Sequence, residues 1–443
     1  MYQILVSNIE NLNSNKMSEN EKFNFKEIID FLVQDENYRY KIEMLKDKLN
    51  YKKETKNIGD FTKYLYENGN VSISKLENFM RCPFSFFMNY GLRAKEREVY
   101  EFSSADYGTY CHKILDDFFK GVFERKVDWN LIDEKFISTE VENITTKMLE
   151  KKGFILGSSS KYEYLSNIAN KNIVEMIEIM AEQVRRGNFV PTGFETTFGD
   201  ENSIKPITYT LENGKDIKLV GKIDRIDVFK GENFDFLRII DYKSSKRDID
   251  LNQVYAGLQL QLFIYMNAIL SSNKERYKPA GLFYSSLDMG FVNSKTYADM
   301  LEVEYSDKLK ENKLSGFVIK DMEILKNLDR TLDEENLKSE ILPIVLKKGM
   351  DIGSYTKGLT KDEFEIVNEF VINKAKDICE EIYSGNIDIK PYKQGDNKAC
   401  EYCKYKSVCK FDPKKNKYNN IKDIKNEVFD LMKSENDKKR GED

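Results

Sequence analysis

Residues 217–243 read IKLVGKIDRIDVFKGENFDFLRIIDYK. Two runs rich in β-branched and aromatic side chains flank Gly231-Glu232-Asn233, and the pattern predicts two strands joined by a turn. With Lys230 to Asp235 as the loop, Phe229 pairs with Phe236, and counting outward along an antiparallel ladder sets Asp224 directly opposite Asp241. Lys243 follows two residues on, on the same face. Two carboxylates about 5 Å apart repel by roughly 3 kcal/mol at an effective dielectric near 20, so the pairing calls for a cation between them. Hard oxygen donors with open coordination positions suit Mg2+ or Mn2+. Lys243 would then stand beside an attacking water and orient or deprotonate it. The alternative is that Asp224 and Asp241 are strand-end residues paired with Arg225, Arg238 or Lys243, as in many ordinary strands.

Outward from the hairpin, short strand patterns occur at 193–198 (GFETTF) and 206–211, a helix at about 252–271, and a further strand at 280–287 (AGLFYSSL). Upstream, GTYCHKILDDFFKGVF spaces Ile114, Leu115, Phe118, Phe119 and Val122 as one face of an amphipathic helix. A helix, several strands, a helix and a strand make an α/β core over 191–290. Residues 127–190 read as a helical insertion, with a long helix from about Leu165 to Arg186. Residues 300–385 read as a charged helical arm, notably at 361–384, and 419–443 as a polar tail, disordered after about 425. Residues 1–70 are polar and helical in pattern and suit a connector or partner-docking arm; the boundary falls near Gly69 and Asn70. No internal repeat is present.

Four cysteines bracket this core. Cys400, Cys403 and Cys409 lie close together in KACEYCKYKSVCKFD, within a cluster-binding segment at 398–412, and Cys82 stands far upstream in RCPFSFFMNYGL. Thiolates spaced so tightly reach one metal centre by folding the loop around it, with Cys82 as the distant fourth ligand. An iron-sulfur cluster and a tetrahedral zinc both fit this spacing. Cys111 and Cys379 fall inside helical patterns and read as small buried hydrophobes.

His112, the chain's one histidine, sits on the helix before the sheet. Its ordinary role would be structural; the other is as a metal ligand beside the two aspartates. Gln261 and Tyr265 lie four apart in GLQLQLFIYMNAIL, polar groups on an otherwise apolar helix. Such groups need partners, and a phosphate or Lys243 would serve; otherwise they are a core glutamine and a half-buried tyrosine.

The 443 residues carry a net charge of −5, which argues against coating nucleic acid by overall attraction. Local charge differs, with seven lysines between Lys398 and Lys417 against Glu401 and Asp412, a patch for phosphates or a solvated loop. Six cysteines and an N-terminus, MYQILVSNIENLNSN, without a basic start and apolar stretch place the chain in the cytoplasm, reduced and without disulfides. No apolar run of membrane-spanning length occurs.

Taken together, His112 in its GTxxH helix, GKIDRID, IIDYKSS and the Gln261/Tyr265 pair resemble the RecB-type branch of the PD-(D/E)XK nucleases. With VSISKLENFMRCPFSFFMNYGLRAKE, IYSGNIDIKPYK and CEYCKYKSVCKFD added, the stretch from Val71 to Pro413 resembles the C-terminal nuclease region of the AddB subunits of AddAB helicase-nucleases. The resemblance implies a restriction-endonuclease-like core with an iron-sulfur clasp joining the two ends of a domain spanning 71–418. It implies His112, Asp224 and Asp241 as Mg2+ (or Mn2+) ligands and Lys243 as the catalytic lysine, with Gln261 and Tyr265 supporting the site. Cys82, Cys400, Cys403 and Cys409 match the ligands of a structural [4Fe-4S] cluster. The implied activity is metal-dependent hydrolysis of single-stranded DNA in double-strand-break repair, beside an AddA-like helicase-nuclease partner. No G-x-x-x-x-G-K-[ST] loop for ATP occurs, and the family's long helicase-like region is not in this sequence, which reads as a fragment, a split gene product or a stand-alone relative. The other readings are an independent exonuclease resembling the CRISPR adaptation nucleases, and a DNA-end clamp without catalysis.

Overall fold

The computed structural model describes residues 18–50, 57–66, 69–95, 103–150, 160–199, 204–273, 275–288, 305–413, 416–424 and 427–441. The chain divides into two units, residues 1–56 with 410–417 and residues 57–409 with 418–443. The first contains helices α1 (Glu19–Gln34) and α2 (Glu36–Asn50). Ser18 and Glu21 open α1 with a capping box, and Leu32 and Ile42 are buried with Phe25, Ile28 and Ile29 packed against them. The unit boundary follows Lys56 instead of lying at Gly69 and Asn70, because the next residues are tied to the larger unit. The Ile58 amide donates to the Gly385 carbonyl (3.0 Å) and the Thr62 hydroxyl to the Tyr383 carbonyl (3.1 Å).

The larger unit is built on a mixed sheet whose described strands are β1 (Asn70–Ser72), β2 (Val190–Phe198), β3 (Ile207–Thr210), β4 (Asp216–Lys230), β5 (Asp235–Lys243), β6 (Tyr277–Ser286), β7 (Ser315–Ile319) and β8 (Gly358–Leu359). β4 is its spine. The first half of β4 pairs with β1 and β3, and the second with β2 and β5. β5 runs parallel to β6, and the crossover between them carries α7 (Leu251–Tyr255) and α8 (Gln261–Ser272). The β4–β5 register has Phe229 opposite Phe236 and Arg225 opposite Ile240, the alignment expected from the turn.

One face of this hairpin holds a buried ion triad. Arg225 gives Nε and Nη2 to the two oxygens of Asp227 (2.7 and 2.8 Å), and Arg238 Nε adds a third bond at 2.7 Å. All three side chains are at most 1 % exposed. Their aliphatic and planar faces are covered by aromatics, Arg225 by Phe119 (4.6 Å) and Arg238 by Phe189 (5.4 Å). Arg225 and Arg238 therefore do not neutralise Asp224 and Asp241, which alternate to the other face.

The helices cover the sheet as their apolar spacing dictates. α3 (Ile73–Arg81) buries Ile73, Leu76 and Phe79; α4 (Ser104–Glu124) packs on β2 and carries Cys111, fully buried. α5 (Glu134–Leu149) and α6 (Ser160–Arg185) form the helical stretch expected within 127–190, and α9 (Lys361–Tyr383) buries Cys379.

Three expectations need correction. The helix expected at 252–271 is broken between α7 and α8, because Gly257 adopts φ +79° where a side chain would be strained and would press on Met80. Residues 300–385 are not simply a helical arm, since Ser315–Ile319 and Gly358–Leu359 extend the main sheet; Gly316 fits there because a Cβ would lie 2.1 Å from the Leu282 carbonyl oxygen. Residues 300–304 lie outside the described residues. The tail is ordered as α10 (Val428–Arg440), whose two buried apolar residues, Val428 and Met432, pack with α9 while Asn436 Nδ2 donates to the Ile366 carbonyl (3.1 Å). Its short apolar face is stabilised by tertiary contact, to which the Lys439–Asp377 and Arg440–Glu369 ion pairs add.

Removing Asp227 leaves two guanidinium groups buried without a counter-charge. Asp227→Ala is expected to lower the unfolding free energy by about 3–5 kcal/mol or more, read from urea denaturation.

Candidate active site and cysteine cavity

The strand register delivers the first part of the site. The β4–β5 ladder ends at Arg225–Ile240, and the next residues outward are Asp224 and Asp241. The Tyr242 amide donates to Asp224 Oδ2 (2.8 Å), fixing that carboxylate at the strand end. Lys243 Nζ lies 2.5 Å from Asp241 Oδ2 and donates to Gln261 Oε1 (2.9 Å). Gln261 Nε2 in turn donates to the Tyr265 hydroxyl (2.8 Å). Tyr265, four residues along α8, is buried, and burial raises its hydroxyl pKa. From α4, His112 Nδ1 lies 3.6 Å from Asp224 Oδ1. Burial is the main reason that the imidazole pKa is lowered, which keeps a lone pair available near neutral pH. The sequence candidates His112, Asp224, Asp241, Lys243, Gln261 and Tyr265 thus form one contiguous network.

Two further residues join them. Glu195 of β2, at φ +45°, makes an ion pair with Lys222. Among the described residues, His112, Glu195 and Asp224 bring ligand atoms within 4.8 Å of one another; Asp241 lies outside that group, its Oδ2 taken up by Lys243. A bulge explains why Glu195 was not legible. The β2–β4 register shifts between Pro191 and Gly193, and only after the shift does residue 195 come level with Asp224. The second is Glu77 of α3, whose Oε1 accepts from the amides of Leu260 (2.8 Å) and Gln261 (3.1 Å). These amides are exposed at the start of α8 by the Gly257 break, and Glu77 caps them. Burial raises the Glu77 pKa, opposed by Arg247, the two amides and Lys243.

An imidazole beside two carboxylates, with the Asp241 carboxylate adjacent, suits a hard divalent cation. The electrostatics agree: burial first, and the Asp241 carboxylate second, push the Asp224 pKa well above the ordinary carboxylate range. Such crowding is what a divalent charge would relieve.

The cysteines form a separate centre. Pro83 starts a helical turn, Pro83–Phe86, and Cys82 before it is extended at φ −172°. Cys82, Cys400, Cys403 and Cys409 line one cavity of about 290 Å³. Burial raises the Cys82 pKa, and the amides of Ser85, Lys390 and Phe84 oppose it by hydrogen bonding to the sulfur. Burial, followed by the other three sulfurs, pushes Cys400 up to about 11. Four thiols lining one cavity are a donor set that suits a cationic metal centre.

The mixed sheet with its flanking helices is an α/β core, and residues 70–410 match the model of the PD-(D/E)XK nuclease superfamily. The chain belongs to that superfamily. It is 38 % identical over 380 residues to the AddB subunit of the ATP-dependent helicase/deoxyribonuclease of Clostridioides difficile, covering 84 % of this chain and 33 % of that protein. The proteins of the same name from Caldanaerobacter subterraneus subsp. tengcongensis (39 %, covering 84 % of this chain and 32 % of the relative) and a Thermoanaerobacter species (38 %, covering 90 % and 35 %) are equally similar. The chain spans about a third of the length of these relatives. Among the described residues no helix is long and apolar enough to cross a membrane.

Because the folded Asp224 pKa lies above the unfolded value, the metal-free protein binds this proton more tightly when folded, and the associated stability is lost as pH rises through the raised value. Mn2+ should therefore raise the thermal midpoint more at pH 8 than at pH 6. Asp224→Asn should raise the metal-free midpoint by a few degrees at pH 8 and abolish the Mn2+ shift, as read by thermal melts at both pH values.

Proposed function

We propose that this chain is a metal-dependent deoxyribonuclease module that hydrolyses phosphodiester bonds of single-stranded DNA during double-strand-break repair. The observation that carries the reading is the network in which Lys243 joins Asp241 on one side to Gln261 on the other, at the strand end where Asp224 meets His112. His112, Asp224 and Asp241, with Glu195 beside them, would hold Mg2+ or Mn2+. Such an ion supplies Lewis-acid charge to the phosphodiester and favours a nucleophilic water. Lys243 orients that water and balances charge on the scissile phosphate, positioned by Gln261, which Tyr265 and the Glu77-capped backbone hold in place. Relatives named as AddB subunits of an ATP-dependent helicase/deoxyribonuclease support a partner of the AddA helicase-nuclease class.

The cysteine cavity is proposed to hold a [4Fe-4S] cluster with a structural role, joining the end of α3 to the 400–409 segment. Four thiolates around one zinc at about 2.3 Å would lie roughly 4 Å apart. Among the described residues no three of the sulfurs come mutually within 4.8 Å, a spread that favours the larger cluster.

Wild-type protein should cut 5′-labelled single-stranded DNA only with Mg2+ or Mn2+, and Lys243→Ala should lower the rate at least 100-fold. A wild-type protein that binds DNA ends yet never cuts, with or without metal, would replace this reading by the non-catalytic clamp. Cys403→Ala, purified without air, should lose both the iron content and the visible absorbance of the wild type; a stoichiometric zinc and no iron in the wild type would exclude the cluster.

A further inference from the structure

A second cavity, of about 460 Å³, lies beside α3 between the start of the sheet and the end of α9. Its size is within the range of small-molecule sites, about 300–1,000 Å³. Lys75, Arg93 and Lys95 line it together with Tyr66, Tyr90 and Tyr383, and no Asp or Glu is among the described residues that line it. None of the three cations has a carboxylate partner among the described residues. The Lys75 ammonium instead lies 5.6 Å from the centre of the Tyr90 ring. Lys215, behind two of these tyrosines, lies 4.6 Å from the Tyr383 ring centre and donates to the Tyr66 carbonyl (3.2 Å).

Among the described residues the cations of this cavity face one another and not a carboxylate. Burial and then the Arg93 charge lower the Lys75 pKa, so the lysine is both desolvated and repelled. Arg93 is held at φ +52°, a conformation uncommon for a non-glycine residue, between the Leu92 and Ala94 amides, which bond back to the Phe87 and Met88 carbonyls (both 2.9 Å). Tyr66, Phe86 and Tyr90 form a run of ring contacts, with centroids 5.6 and 5.0 Å apart. Converging cations beside aromatic faces are the chemistry that grips a flexible nucleic-acid strand, in which phosphates meet the charges and bases meet the rings.

We propose that this cavity is a nucleotide subsite holding one base and its phosphate of a single-stranded DNA substrate, separate from the bond that is cut; the proposal rests on the nuclease reading above. α3 connects the two places. Lys75 lines the cavity, and Glu77 two residues on caps α8 beside Lys243. Asn89 is shared between this cavity and the cysteine cavity, which contributes Arg81, Lys398 and Lys404 to a continuing basic wall.

The test uses the full chain, with a fluorescein-labelled dT12 probe followed by fluorescence anisotropy in EDTA over a salt series, and cleavage of the same oligonucleotide with Mg2+. For Lys75→Met/Arg93→Gln the dissociation constant should rise at least tenfold at 100 mM salt. The slope of log affinity against log salt should become shallower by about 1, since each phosphate contact on a single strand contributes about 0.7. KM should rise with kcat within about twofold, and the thermal midpoint should hold or increase because a repelled charge has been removed. Arg93→Gln alone, at an exposed position, should show the same direction at about threefold. An unchanged dissociation constant and salt slope in either variant overturns the subsite, as does a loss confined to kcat. If the wild type binds dT12 and the variants lose affinity while no protein cuts, the subsite stands and the nuclease reading falls.

Discussion

Asp227 fixes the register of the molecule. Two arginines on adjacent strands reach its carboxylate inside a site closed to solvent, and an uncompensated charge there would cost several kcal/mol. A one-residue slip between β4 and β5 would turn Arg238 to the other face and leave its charge without Asp227, which stays paired with Arg225 in its own strand. The triad therefore admits one pairing, and that pairing carries Asp224 and Asp241 to the same strand end on the opposite face. A buried electrostatic lock with no part in chemistry thus sets the geometry of the strand end on the opposite face, where crowded carboxylates oppose folding on their own.

The support behind Lys243 follows a similar logic of one element constraining another. Its ammonium has two partners, Asp241 and Gln261, and Gln261 stands at the first turn of α8. That turn begins where Gly257 interrupts the crossover, so its amides point outward and must be capped. Glu77 does this from α3, whose own position is set by Ile73, Leu76 and Phe79 in the core. The chain from apolar packing to the candidate catalytic amine is thus three links long, and each is a named contact.

What was legible in the sequence was what local chemistry writes down. The hairpin turn and the period-two pattern were enough to align Asp224 with Asp241, because the ladder between them has no bulge. Glu195 was hidden because its level depends on the bulge between Pro191 and Gly193; without that shift it would face Ile223 and point away. Glu77 was hidden because its partner lies about 180 residues away and nothing in KLENF marks a helix cap for another helix. The break at Gly257 was missed because the surrounding apolar spacing continues through it, and α10 because its two buried residues are too few to outweigh a charged composition without α9 to receive them.

Loop closure gives the cysteine cavity its physical meaning. Cys82 and Cys400–Cys409 are separated by more than 300 residues, so any covalent or metal link between them removes a large conformational freedom from the unfolded chain. The near end of that link is the last turn of α3, and α3 is nine residues long. At about 1.5 Å per residue, Glu77 is roughly 8 Å along the helix axis from Cys82, and Lys75 about 11 Å. A rigid helix of that length cannot relax at one end without moving the other. A group that held the four sulfurs together would also steady the carboxylate that caps α8, and through it the candidate catalytic lysine, without sharing an atom with either.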